Sequence, residues 1–138
     1  MFTIRKATTA DCGLIHDMAS IVFPATYKEI ISAEQMVFMM DWMYSHDNIR
    51  KQMEEEGHVY FIAYKGEEPC GYVSVQPQEE NIFHLQKIYC TFFPLPFLLQ
   101  NLSFFFHILF LCEMVKQLFY EMTKMVHQLA MQYHYKHH

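Results

Sequence analysis

The chain has 138 residues, enough for one domain with a core of its own, and a formal net charge of −5 with its nine histidines neutral. That charge argues against nucleic acid or an anionic membrane surface as partner. Met1–Lys6 has no apolar signal region, and the four cysteines (Cys12, Cys70, Cys90, Cys112) form no C-x-x-C pair. The expectation is a cytoplasmic chain with reduced thiols, without a disulfide framework or a zinc site.

Phe2–Lys6 alternates, apolar at Phe2 and Ile4, and predicts a short strand. It leads into a helix capped near Thr8 or Thr9, with Leu14, Ile15, Met18, Ile21 and Val22 at helical spacing and Pro24 expected to break it. Ser32-Ala33-Glu34-Gln35 reads as a capping box opening a second helix, which Met36, Met39, Met40 and Met43 continue. Asp47–Glu56 reads as a polar helix closed by Gly57.

Three strands are predicted next. His58–Lys65 is rich in β-branched and aromatic residues, and Cys70–Gln76 returns after a turn at Lys65–Pro69. Pro77–Asn81 reads as a second turn. In Ile82–Tyr89, Phe83, Leu85, Lys87 and Tyr89 alternate with His84, Gln86 and Ile88.

Beyond Tyr89 the composition changes. Residues 1–89 carry seven basic and thirteen acidic side chains, residues 90–138 only three and two. All four glycines (Gly13, Gly57, Gly66, Gly71) lie in the first part, and eight of the thirteen phenylalanines lie in the second. Thr91–Cys112 holds no charged residue, and Glu113–His138 reads as a helix through Met114, Leu118, Met122 and Leu129. The chain therefore divides into 1–89 and an atypical apolar and helical tail, 90–138. The break falls inside a predicted strand, an odd place for a domain boundary.

Several words in the first part, in order, are Ile4-Arg5-Lys6-Ala7-Thr8-Thr9-Ala10-Asp11, Phe61-Ile62-Ala63-Tyr64 with Pro69-Cys70-Gly71-Tyr72-Val73, and Leu85-Gln86-Lys87-Ile88-Tyr89. Together they resemble the GNAT acyl-CoA N-acetyltransferases over about residues 1–89. The resemblance implies an α/β fold, a mixed sheet splayed at its fourth strand behind N-terminal helices. It also implies acetyl-CoA as co-substrate and a small-molecule or peptide amine as acceptor. The pantetheine arm would pair with the fourth strand, beside Lys87, Ile88, Tyr89 and Cys90. A glycine loop at a helix head should then hold the pyrophosphate on bare amides. Here the sequence departs: Cys90–Phe97 reads C-T-F-F-P-L-P-F, and no glycine follows Gly71. A reading frame shifted from about Cys90 would produce such a break, which the coding DNA would test. Without the loop, affinity for the cofactor should fall severely, leaving an impaired enzyme or an inactive GNAT-like domain.

N-acetyl transfer needs a base, an oxyanion donor and an acid for the thiolate. The family places a base near His84, whose residue type titrates near neutrality, although a strand histidine is more often plain surface. The oxyanion donor would be the backbone amide of Tyr89 or Cys90. Phe119-Tyr120-Glu121-Met122 resembles the word in which a tyrosine protonates the leaving thiolate, which makes Tyr120 the candidate acid; helical spacing alone also puts a tyrosine there. Phe23, Tyr27 and Trp42 would line the acceptor pocket, the plainer alternative being core. His134, His137 and His138 have i, i+3 spacing at a frayed end and read as no metal site. The apolar run at 91–112 is long enough to span a membrane and leaves a third reading, a domain tethered by it, although Pro94, Pro96, Gln100, Asn101 and His107 weigh against that use. An unfinished edge at the fourth strand would favour pairing with a second copy.

Overall fold

The structure is a computed structural model that describes residues 2–79 and 82–90, and in the C-terminal part Lys116, Tyr120 and Lys124. The chain runs β1 (Phe2–Lys6), a 3-10 turn (Thr9–Asp11), α1 (Cys12–Tyr27), α2 (Ala33–Tyr44), α3 (His46–Glu54), β2 (Val59–Lys65), β3 (Glu68–Glu79) and β4 (Ile82–Cys90). The strands form one antiparallel sheet in the order β1-β2-β3-β4. Strand, helices and three-strand meander match the order expected from sequence, and the class is α/β. A parallel strand, which a mixed sheet requires, would fall after Cys90, outside the described residues.

Local chemistry explains most element ends. The Arg5 guanidinium grips the Asp11 carboxylate through two bonds, 2.9 and 2.7 Å, and donates to the Tyr64 hydroxyl at 2.7 Å. Asp11 also accepts the Thr8 backbone N–H at 2.8 Å, so the opening word ties β1 to the turn before α1. The expected capping box opens α2, with Ser32 Oγ accepting from the Gln35 N–H and Gln35 Oε1 from the Ser32 N–H. Gly57 and Gly66, at φ 72° and 62°, follow α3 and turn β2 into β3, in a region that favours glycine.

The structure corrects four local expectations. Pro24 does not break α1, which continues one turn to Tyr27; the proline lacks an N–H, yet its own carbonyl accepts from Lys28 at 3.0 Å. The polar helix is amphipathic, spans His46–Glu54 and buries Ile49 and Gln52. Pro77 is no turn residue: β3 runs on to Glu79, beyond the last β2 pair at Val59↔Val75, where a missing N–H breaks no ladder bond to β2. The alternation of β4 is interrupted. Lys87 faces Ser74 but Leu85 faces Val75, so Gln86 is an extra residue, a β-bulge.

The helices cover one face of the sheet. The core between them holds Ile15, Met18, Ala19, Phe23, Tyr44 and Ile49 against Tyr60, Ile62 and Tyr72. The opposite face carries Phe61, Val73, Val75, Ala63 and Cys70, all buried, with Ile4, Val59 and Ile88 packed on them.

Candidate functional site

Successive strand residues point to opposite faces. Tyr60 on β2, Tyr72 and Ser74 on β3, and Lys87 and Tyr89 on β4 therefore share the helix-covered face, where α2 supplies Tyr44 and α3 supplies Gln52. The result is a polar, aromatic cluster inside an otherwise apolar layer.

Its centre is Lys87. The ammonium donates to Gln52 Oε1 at 2.7 Å and to the Tyr60 hydroxyl at 2.6 Å. It stands 4.7 Å from the Tyr44 ring centroid and 5.2 Å from that of Tyr60, a cation–π arrangement on two rings. Tyr60 donates its hydroxyl to the same Gln52 oxygen at 2.6 Å, and Gln52 Nε2 anchors to the Met43 carbonyl at 3.0 Å. Among the described residues no carboxylate lies within ion-pair distance of Lys87. Burial pushes the ammonium down to about 8, only partly opposed by the more distant Glu56. Burial likewise raises the Tyr60 and Tyr72 phenols well above their usual value and, less strongly, that of Tyr44.

Around this centre, Tyr72 packs edge-on to Tyr44 at 6.1 Å and beside Tyr89 at 5.5 Å. Its hydroxyl is buried with no hydrogen-bond partner among the described residues. The hydroxyls of Tyr89 and Tyr27 lie 3.2 Å apart. His58 Nδ1 is 2.9 Å from the Ser74 hydroxyl, and burial followed by the Lys87 charge holds its pKa low. A polar row continues outward. Gln76 donates to the Glu56 carbonyl at 2.7 Å, and Gln86 Nε2 donates to Gln76 Oε1 and to His84 Nδ1, each at 3.0 Å.

The residues singled out from sequence fall in different places. Lys87, Tyr89 and Tyr27 meet in the cluster. Ile88 points to the opposite, apolar face. Cys90 ends β4 with its backbone opposite Gly71. Phe23 is 2% exposed and stacks on Tyr27 at 4.6 Å, a core position beside the cluster. Trp42 is 62% exposed on α2. His84 is exposed at the outer end of the polar row. Tyr120 is exposed, with the Lys124 ammonium 4.5 Å from its ring, and among the described residues it shares no hydrogen bond or ring contact with the cluster. The glycine-poor stretch after Cys90, the 91–112 run and the terminal histidines lie outside the described residues. Among the described residues no helix is long and apolar enough to cross a membrane, and no group of side chains could hold a metal ion.

Sequence reasoning missed Tyr44, Gln52, Tyr60, Tyr72 and Ser74. A signal was present: Tyr60, Tyr72, Ser74 and Gln76 fall on alternate strand positions, against apolar Phe61, Ala63, Val73 and Val75.

For an acyl-CoA the fit is divided. Among the described residues β4 pairs only with β3, so its outer edge suits an extended pantetheine arm. The diphosphate has no glycine to approach anywhere after Gly71.

No protein-family model and no curated protein sequence matches the chain. Solved structures do. The PaiA N-acetyltransferase of Thermoplasma acidophilum, in complex with coenzyme A, superposes with TM-score 0.57 at 18% identity over 66% of this chain and 59% of its own. A GCN5-related N-acetyltransferase from Ralstonia eutropha JMP134 matches with TM-score 0.49 at 13% identity over 65% of this chain and 62% of its own. This chain thus spans less than two-thirds of the length of either.

Proposed function

We propose that this chain, which has the GNAT acetyltransferase fold over about two-thirds of its length, transfers an acetyl group from an acetyl thioester to a primary amine. The observation that carries the reading is the strand β4: its outer edge has no partner among the described residues, and its inner face opens on a buried polar cluster. An acetyl-pantetheine arm along residues Lys87, Ile88, Tyr89 and Cys90 would set its carbonyl beside that cluster, with a backbone amide of Tyr89 or Cys90 as oxyanion donor. The acceptor is a small-molecule or peptide amine, and α1 offers Tyr27 as part of its wall.

In this reading His84 is the base. Its Nδ1 accepts from Gln86 Nε2 at 3.0 Å, so the neutral ring carries its hydrogen on Nε2 and Nδ1 is the nitrogen that would take the amine proton once Gln86 gives way to it. Tyr120 is the proposed acid for the leaving thiolate.

A second reading, an inactive GNAT-like domain, is favoured by the absence of any glycine after Gly71. One experiment separates the two. The chain is mixed with acetyl-CoA and a panel of primary amines, thiol release is followed, and binding is measured by calorimetry. The enzyme reading predicts amine-dependent release with a dissociation constant weaker than about 100 μM, the diphosphate being poorly held. No thiol release and no heat would establish the inert domain.

A further inference from the structure

The Lys87 head group is held at the centre of the cluster by two acceptors. A neutral lysine amine has two N–H donors and one lone pair. Both donors have an acceptor here, Gln52 Oε1 at 2.7 Å and the Tyr60 oxygen at 2.6 Å. The lone pair is then uncommitted. The charged form keeps both bonds and gains the two tyrosine rings and the distant Glu56, but no described carboxylate lies within ion-pair distance of it. Gln52 is itself fixed to the Met43 carbonyl at 3.0 Å, so the amine is presented by a rigid support. A lysine placed only for stability would be expected to meet a carboxylate or reach water with its head group.

We infer that Lys87 is an acyl-acceptor site of this chain, a position at which the protein acylates itself from an acyl thioester. The Nζ lone pair attacks the thioester carbonyl, and an N–C bond forms. The C–S bond breaks, the thiolate leaves with the electron pair, and the proton lost from nitrogen passes to the thiolate or to water. The product is Nε-acetyl-lysine and a free thiol, with no oxidant or reductant required. The modification removes the positive charge and leaves one N–H to bond Gln52 or Tyr60.

Among the described residues the groups facing Lys87 are neutral or distant: Tyr44 from α2, Gln52 from α3, Tyr60 from β2 and His58 just before it, Ser74 and Tyr72 from β3, with Glu56 beyond hydrogen-bond reach and Tyr89 on its own strand. Titrating near 8, about half of Lys87 is neutral at pH 8, against well under one in a hundred for a lysine at its usual value of about 10.4. The inference rests on the reading of β4 as the strand that takes the acyl arm, but it needs no grip on a nucleotide.

The test uses the full chain and S-acetyl-N-acetylcysteamine, a small thioester without the CoA diphosphate. Acetylation is followed residue by residue by mass spectrometry from pH 6.5 to 9.5, with exposed Lys28 and Lys51 as internal standards. At pH 8 Lys87 should acetylate at least about tenfold faster than either standard, reaching half its limiting rate near pH 8. A Lys87 rate equal to or below that of Lys28 and Lys51, or one still climbing in parallel with theirs at pH 9.5, overturns the inference. Because the probe lacks the diphosphate, failure to bind acetyl-CoA does not affect this outcome. Selective labelling without transfer to added amines would leave the acceptor site standing and remove the enzyme reading.

Discussion

The two faces of the sheet are made from alternate residues of the same strands, and they differ in kind. One side is Phe61, Val73, Val75, Ala63 and Cys70, apolar and buried. The other interleaves Tyr60, Tyr72, Ser74, Lys87 and Tyr89 with the helices and buries hydroxyls, an amide and an amine. The apolar face needs only volume and hydrophobicity, and its stability follows from area removed from water. The helix face carries a desolvated ammonium and a buried hydroxyl with no hydrogen-bond partner among the described residues. Those features cost stability, so a sequence selected for folding alone would not retain them. The chemistry of this fold is therefore concentrated on one side of β4.

The largest expected effect lies on the apolar face. Phe61→Ala should lower unfolding free energy by about 3 to 5 kcal/mol through lost burial and a cavity, measured by chemical denaturation. It should leave the Lys87 titration midpoint where it is. A moved midpoint would mean that the two faces are coupled and the contrast is false.

Next is the pH dependence of the helix face. Lys87 titrates near 8 when folded and near its ordinary value when unfolded. Between those values the unfolded chain binds more protons, so stability rises with pH from about 8 to about 10, by up to ~3 kcal/mol. Above about 10 the raised phenols of Tyr60 and Tyr72 reverse the trend, since the unfolded chain then loses protons first. Lys87→Met should abolish the rise and stabilise the protein at pH 7 by ~2 kcal/mol. Denaturation curves at pH 7, 8.5 and 10 that show no rise in the parent chain would refute the buried, unpaired amine.

Smaller again is Tyr72→Phe. Removing a buried hydroxyl that has no partner among the described residues should stabilise by about 1 kcal/mol, seen as a higher thermal midpoint. Destabilisation would show that the hydroxyl does have a partner. The smallest effect concerns Asp11, whose carboxyl the Arg5 bond holds at about 2. Stability present above about pH 4 should fade as pH drops toward 2, by about 1 kcal/mol, because Arg5 is half exposed and water screens the pair. Asp11→Asn should flatten that acid limb.

Legibility in the sequence followed the same divide. The order of elements, the Ser32–Gln35 cap and the fold resemblance were readable over 1–89, because strand alternation and capping are local signals. Pro24 and Pro77 were misread as stops because their tolerance depends on position, a last helical turn and a strand stretch running beyond β2. The bulge at Gln86 inverted the expected alternation below Lys87, since an extra residue in a ladder leaves no local mark. The Lys87 cluster was half readable. Lys87, Tyr89 and Tyr27 were named, but the cage needs Gln52 and Tyr44, contributed by two helices that packing alone brings to β4.

Acetyl transfer and Lys87 acylation both require β4 to be the strand that receives a thioester arm. Titrating the chain with pantetheine, the arm without its nucleotide, and following backbone amides by NMR tests this without catalysis. Saturable shifts should concentrate at Lys87, Ile88, Tyr89 and Cys90, with little change at Phe61 or Val73. Amides of β4 that stay in place while others move, or no movement at all, would contradict it.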